Sequence, residues 1–157
     1  MDADDKALQV QRAPGSQLES AYEVAEEYFA QLSVLARDTR DQFEKEYFAE
    51  GVGFWLAKRE EAVVGCIGLR RMCIASSAEI KRMYVRQEYR GRGFAQKLLE
   101  AAEEFARKCG YQWIYLDTTD EMMAAVRLYE RNGYKRCERY NQNPQATIFM
   151  RKRLRGV

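Results

Sequence analysis

Between residues 78 and 106 the order of features leaves few folds open. Ala78-Glu-Ile-Lys-Arg-Met-Tyr-Val85 alternates as a strand does, and Arg86-Gln-Glu-Tyr-Arg-Gly-Arg-Gly-Phe-Ala95 follows it at once. Phe94, Ala95, Leu98, Leu99, Ala102, Phe105 and Ala106 then form a broad apolar stripe at helical spacing. A half-polar strand therefore runs through an arginine- and glycine-rich turn into an amphipathic helix. Backbone N–H groups at a helix start, flanked by fixed cations, make a site for a phosphate-bearing ligand.

Two familiar phosphate turns fit poorly. The Gly-x-x-x-x-Gly-Lys-Ser/Thr loop of nucleotide hydrolases is absent. A dinucleotide turn would read Gly91-Arg-Gly93-Phe-Ala-Gln96, with glutamine where close helix–strand packing wants no bulk. Asp117 superficially fits the ribose-binding acid, but Glu79, Lys81 and Arg82 make the preceding strand too polar for that fold. Taken alone, the turn is also compatible with a solvated, glycine-softened basic loop.

The rest of the chain supplies the frame. Leu8 to Ala13 reads as a strand broken by Pro14-Gly15. Ser16-x-x-Glu19 reads as a capping box before a helix whose apolar positions are Leu18, Tyr22, Ala25, Phe29, Leu32 and Leu35. A second helix is expected over Arg40 to Ala49, ending at Gly51, with Phe43, Tyr47 and Phe48 covering a cleft. Phe54 to Lys58 and Val63 to Arg70 form a hairpin around Arg59-Glu60-Glu61, and Ala75-Ser-Ser77 turns into the strand Glu79 to Val85. Gly110 ends the long helix, Trp113 to Leu116 is a buried strand, and Met122 to Arg131 is a short helix closed by Asn132-Gly133. Tyr134 to Arg139 and Ala146 to Arg153 are two last strands, joined by the turn formers Tyr140-Asn-Gln-Asn-Pro144. Strand–helix–strand units imply some parallel pairing, and hairpins imply antiparallel pairing. One α+β (mixed α/β) domain over residues 1–157 fits this order.

Charge and composition narrow the chemistry. With 157 residues, 46% hydrophobic, the chain can bury a real core. A net charge of +2 implies no strong nucleic-acid or membrane field. The basic residues cluster at Lys81 to Lys97 and in Arg151-Lys-Arg-Leu-Arg155, which reads as a solvated chain end. No apolar run approaches a membrane span, and the acidic start Met1-Asp-Ala-Asp-Asp5 has the wrong charge for a secretory leader, so a cytoplasmic location is expected. Cys66, Cys73, Cys109 and Cys137 show no metal-ligand spacing and read as reduced thiols; no metal is expected. Histidine is absent, so acid–base chemistry falls to carboxylates, tyrosine, cysteine, lysine or water.

Arg90-x-x-Gly93-x-Ala95 resembles the acyl-CoA pyrophosphate loop of the GNAT superfamily of N-acetyltransferases. The resemblance runs from Leu8 to Leu154 and is strongest from Glu79 to Tyr134; its second signature is Ala125-x-x-Leu128-Tyr129-Glu130-x-x-Gly133-Tyr134. It implies a central mixed, mostly antiparallel sheet with a splayed fourth and fifth strand, helices on both faces, and acetyl-CoA as co-substrate. It also implies roles. Tyr129 faces the CoA sulfur, and Glu79 near the start of the fourth strand serves as base, directly or through water. The cofactor contacts map onto Met83, Tyr84, Val85, Arg90, Gly91, Arg92, Gly93, Phe94, Ala95 and Gln96, with the Met83 N–H as oxyanion donor. One departure is Met122, where many members carry an asparagine that contacts the cofactor; Thr118, Thr119 or Asp120 stand near enough to substitute.

The acceptor site implied by the family lies between the first two helices and the last hairpin loop. Its lining candidates are Phe43, Tyr47, Tyr140, Asn141 and Asn143, with Arg71 or Arg82 available for a substrate carboxylate. A primary amine on a small molecule, such as an amino acid or its conjugate, is the leading acceptor; a protein N-terminus or lysine is the second. A CoA-binding regulatory module and a partner-binding protein using the basic turn remain the rival classes. Neither the acyl length nor the oligomeric state, a homodimer among the options, is encoded in these motifs.

Overall fold

The computed structural model describes residues 8–31 and 37–155. Its elements are β1 (Leu8–Arg12), α1 (Leu18–Gln31), α2 (Arg40–Tyr47), β2 (Gly53–Arg59), β3 (Ala62–Arg71), β4 (Ser77–Val85), α3 (Phe94–Lys108), β5 (Trp113–Thr118), α4 (Met123–Arg131), β6 (Lys135–Arg136) and β7 (Ile148–Arg153). They form one seven-stranded sheet in the order β1-β2-β3-β4-β5-β7-β6. Every neighbouring pair is antiparallel except β4 and β5, which the α3 crossover joins in parallel. The element order is the one the periodicities predict.

The helices cover both faces of the sheet. α3 and α4 bury Leu98, Leu99, Ala102, Val126 and Leu128 against Val64, Ile67, Ile80, Ile114 and Leu116 on one face. α1 and α2 bury Val24, Ala25, Phe43 and Tyr47 against Phe54, Leu56 and Cys66 on the other. Strand alternation assigns successive side chains to opposite cores, which is why β2 and β3 read as nearly continuous apolar runs.

Several local expectations are corrected. Ser16 lies in a short 3-10 turn (Gly15–Gln17) whose cap makes no side-chain hydrogen bond; the capping box forms instead at Thr39 and Gln42, ahead of α2. Leu32 and Leu35 lie outside the described residues. The expected 134–139 strand is short: Lys135 and Arg136 pair with β7, and the Cys137 N–H donates to the Phe149 carbonyl at 2.8 Å. The basic segment Arg151–Arg155 keeps its three arginines exposed but is no free end. Its first three residues belong to β7, where Arg151 stacks 4.4 Å over Trp113 and Lys152 Nζ donates to Glu103 at 2.8 Å.

Phe43 and Tyr47 were candidate acceptor-site lining, but both are wholly buried. They interlock with Phe54 at ring distances of 4.9 and 5.5 Å, and a side chain at Gly68 would collide with the Tyr47 ring. Among the described residues the buried Tyr47 hydroxyl finds no hydrogen-bond partner. An unsatisfied buried hydroxyl costs about 1–3 kcal/mol, so Tyr47→Phe is expected to match or exceed the wild type in stability, by up to ~1 kcal/mol in chemical denaturation. A clear loss of stability would show that the hydroxyl is bonded in solution.

Candidate active site

β4 and β5 pair in parallel only from Ser77↔Trp113 to Ile80↔Leu116. Beyond that point the strands part. The register between β3 and β4 slips at the same place: Lys81 pairs with Gly68 and Tyr84 with Cys66, so Arg82 and Met83 together oppose Ile67. This is a β-bulge. Arg82 holds φ at 60°, in the left-handed region where such a bulge normally carries glycine. For an arginine that conformation costs roughly 1–2 kcal/mol. The bulge bends β4 away from β5, and the gap opens into a cleft of about 550 Å³.

Both sheet faces contribute to its walls: Tyr28 and Gln31 from α1, Ala125 and Tyr129 from α4, Lys81 to Met83 from β4, Asp117 and Thr118 from β5, and Asn143 and Gln145 to Thr147 before β7. The cleft thus passes through the sheet at the split. Met122, Thr119 and Asp120 line the same cleft, at the cap of α4.

The basic turn sits at the helical end of β4. Gly91 and Gly93 hold φ at 77° and 85°, and a Cβ on either would meet nothing within 4 Å. Gly93 is the N-cap of α3 and offers no capping side chain, so the first-turn N–H groups of Phe94, Ala95 and Gln96 precede the first backbone bond of the helix, Lys97 N–H to Gly93 O. Arg90 Nε donates to the Val85 carbonyl at 2.9 Å, and Arg92 lies 5.7 Å over Tyr89. Two open glycines, uncapped N–H groups and two exposed arginines fit a diphosphate. Gln96, the residue that spoils a dinucleotide turn, exchanges two 2.8 Å hydrogen bonds with Asn132 and so fastens α3 to the end of α4.

Tyr129 is buried, its ring edge-on to Tyr134, and it lines the cleft. Burial holds its phenol well above the ordinary tyrosine range, so it stays a proton donor at neutral pH. Tyr84 is buried on the other face, where its hydroxyl donates to Glu27 at 3.0 Å.

Glu79 occupies a different position from Tyr129. It lies on an open depression of about 580 Å³ beside the cleft, together with Arg70, Arg71, Tyr140 and Asn141. Its carboxylate accepts from Arg70 Nε at 2.8 Å, Tyr140 Oη at 2.6 Å and Asn141 Nδ2 at 3.3 Å. Lys81 Nζ stands 3.6 Å away and donates to both Asp117 oxygens at 2.8 and 3.0 Å. Asn141 and Asn143 donate to Asp117 at 2.6 and 3.4 Å. Burial would raise the Asp117 carboxyl, but Lys81 and the two amides outweigh it and hold it below the usual range. The loop before β7 is therefore laced to β4 and β5 across the split. Arg71 stays exposed on the rim of the depression, its Nε donating to Tyr111 Oη at 3.4 Å, away from the cleft.

Sequence reasoning left open a pairing of Glu79 with Lys81 or an arginine on the neighbouring strand, which Lys81 and Arg70 supply, but it missed the Lys81–Asp117 pair and Tyr28. The Lys81–Asp117 pair arises from strands meeting across the sheet, and Tyr28 reaches the cleft from α1; the visible trace was the run of charged residues in an otherwise apolar strand.

The profile of the acetyltransferase (GNAT) family matches residues 18–134. The chain belongs to this family. It is 35% identical over 102 residues to an uncharacterized N-acetyltransferase of Schizosaccharomyces pombe, covering 63% of each chain. To the N-acetylaspartate synthetase of Xenopus tropicalis it is 36% identical over 105 residues, 66% of this chain and 39% of that one. These spans leave more than a third of each of the two relatives unmatched. Among solved structures, an acetyltransferase of the GNAT family from Staphylococcus aureus superposes with a TM-score of 0.80 at 24% identity, covering 95% of this chain and all of that one. The yncA protein of Salmonella typhimurium, solved with its cofactor acetyl-CoA, superposes with a TM-score of 0.74 at 20% identity, each chain covered to 95%. Among the described residues no helix is long and apolar enough to cross a membrane.

Proposed function

We propose that the chain acts as one N-acetyltransferase domain that moves the acetyl group of acetyl-CoA onto the primary amine of a small molecule, an amino acid or its conjugate. The observation that carries this reading is the join between the split of β4 from β5 and the uncapped, glycine-lined start of α3. Diphosphate recognition and a through-sheet cleft occur on one continuous segment. Acetyl-CoA supplies the activated thioester; everything else falls to the chain.

The turn at Arg90, Gly91, Arg92 and Gly93, with the N–H groups of Phe94, Ala95 and Gln96, holds the diphosphate. Bulged β4 presents backbone at Met83 and Val85 for pairing with an extended amide-bearing arm, as an added strand would. The Met83 N–H stabilises the oxyanion that develops on the carbonyl; one such donor typically contributes about 3–4 kcal/mol. Tyr129 donates a hydrogen bond to the departing thiolate. A phenol of pKa ~10 keeps its proton against a thiol of ~8.5, so stabilisation without full transfer is the chemistry it supports.

The attacking amine must be neutral. For an α-amine of pKa ~8 that costs about 1.4 kcal/mol at pH 7, and for an alkylamine of pKa ~10.4 about 4.6 kcal/mol. Glu79 takes this proton, and because it faces the depression rather than the cleft, it acts through water. The small-molecule acceptor is supported by the relative named for N-acetylaspartate synthesis and by a cleft closed on one side by the tethered 140–143 loop. Release of free thiol from acetyl-CoA in the presence of a panel of amines tests the reading. Amine-dependent release with formation of the N-acetyl product is expected; release that no amine accelerates would overturn it.

A further inference from the structure

The walls of the cleft carry two cations among the described residues, Lys81 and Arg82. They are held differently. Lys81 is locked from both sides by Asp117 and Glu79, inside the buried network that fastens β4 to β5. Arg82 stands in a separate, largely buried pair beside Tyr28. Its guanidinium lies 4.7 Å over the Phe29 ring, and its Nε and Nη2 both turn to a single oxygen, Oδ2 of Asp38, at 3.3 and 3.1 Å. Asp38 comes from outside the sheet, one residue before the cap of α2.

The backbone at Arg82 carries the second observation. A left-handed bulge position is relaxed with glycine and strained with arginine. A side chain kept where the backbone disfavours one has a use there, and the bulge points it to the α1 side of the split, beside Lys81 and Tyr28. Its neighbour Met83 presents the backbone nearest the acyl carbonyl in the reading above. Arg82 and Met83 are consecutive on the bulge and line the same cleft, so an amine attacking beside Met83 has Arg82 on the same wall.

We propose that Arg82 is the specificity-determining residue for the acceptor: it binds a carboxylate carried close to the reacting amine, and Asp38 occupies that clamp until the acceptor arrives. The acceptor class is thereby an α- or β-amino acid or a conjugate that keeps its free carboxylate. This rests on the acetyltransferase reading. Entry of the acceptor exchanges one carboxylate for another at the same guanidinium, so only the Asp38 side chain has to turn aside; its backbone carbonyl stays bonded to Tyr22 Oη at 3.2 Å.

The test pairs each amino acid with the amine left when its carboxyl group is removed. Steady-state rates are measured with acetyl-CoA for the wild type, Asp38→Asn, and Asp38→Asn with Arg82→Gly. The double variant removes both charges and relaxes the backbone, so folding is kept; thermal melts check it. Asp38→Asn is expected to lower KM for the amino acid about 3- to 10-fold, and the double variant to raise it at least ~10-fold above that, while KM for the decarboxylated amine moves less than ~2-fold in either. Equal use of both partners by the wild type, or an unchanged KM in Asp38→Asn, overturns the clamp and leaves the acetyltransferase reading standing. Transfer to no amine at all, with acetyl-CoA still bound, overturns both.

Discussion

Tyr129→Phe is expected to lower kcat by about 10²-fold while leaving acetyl-CoA affinity within ~3-fold of the wild type, since a positioned proton donor acts on the transition state rather than on ground-state binding. The ring is packed against Tyr134, and the hydroxyl makes no hydrogen bond among the described residues. Phenylalanine therefore keeps the packing and orphans nothing. Its fold should be unchanged by circular dichroism and by melting. Burial keeps this phenol protonated far into the alkaline range, so the loss should be constant between pH 6 and about 9. Thiol-release kinetics beside a titration of the variant separate the two effects. A variant with unchanged kcat would remove Tyr129 from the chemistry.

Glu79→Gln should cost more, and the cost should depend on the amine. Loss of a general base removes typically 10²–10⁴-fold, and the penalty falls hardest on acceptors whose ammonium holds its proton most tightly. For an amine of pKa ~10.4 the expected loss in kcat/KM is toward the upper end, and for one of pKa ~8 toward the lower. Rates for a series of amines differing in basicity, in the wild type and the variant, give this directly. The same substitution weakens the network. Arg70 keeps Glu46 at 3.0 Å and Lys81 keeps Asp117, so neither cation is stranded, and a stability loss of about 1–3 kcal/mol is expected rather than collapse. A loss equal for all amines would mark Glu79 as a brace for Tyr140 and Asn141 instead of a base.

Much of this was written locally in the chain. The order of elements followed from apolar periodicity, and the positive φ at Gly51, Gly91, Gly93, Gly110 and Gly133 falls where the turns and helix ends had been read. The phosphate turn was legible because its chemistry lies within a few consecutive residues. What stayed hidden depends on contacts between distant segments. Arg82 was one of two arginines the sequence offered for a carboxylate, and only the register slip against Ile67, which turns it onto Phe29, separates it from Arg71. Lys81 and Asp117 stand 36 residues apart and meet because β5 returns parallel to β4. The aromatic residues of α2 carried the pattern of a lid, yet Gly68 leaves room for Tyr47 to sink into the core. The strand through Arg153 was legible, with Ile148, Phe149 and Met150 buried in it, but the partners of its charged end were not: Arg151 stacks on Trp113 and Lys152 bonds Glu103.

The central claim is that the turn from Arg90 to Gln96 receives acetyl-CoA. Isothermal calorimetry of the folded protein, freed of any retained CoA, addresses it most directly, with Gly93→Val as the comparison. A Cβ there has open space, but the left-handed backbone costs a β-branched residue about 1–2 kcal/mol and the methyls crowd the N–H groups. Saturable binding at one site, weakened about tenfold or more in the variant, is the predicted result. Folded protein that takes up no acetyl-CoA, or a variant that binds it as tightly as the wild type, would contradict the account.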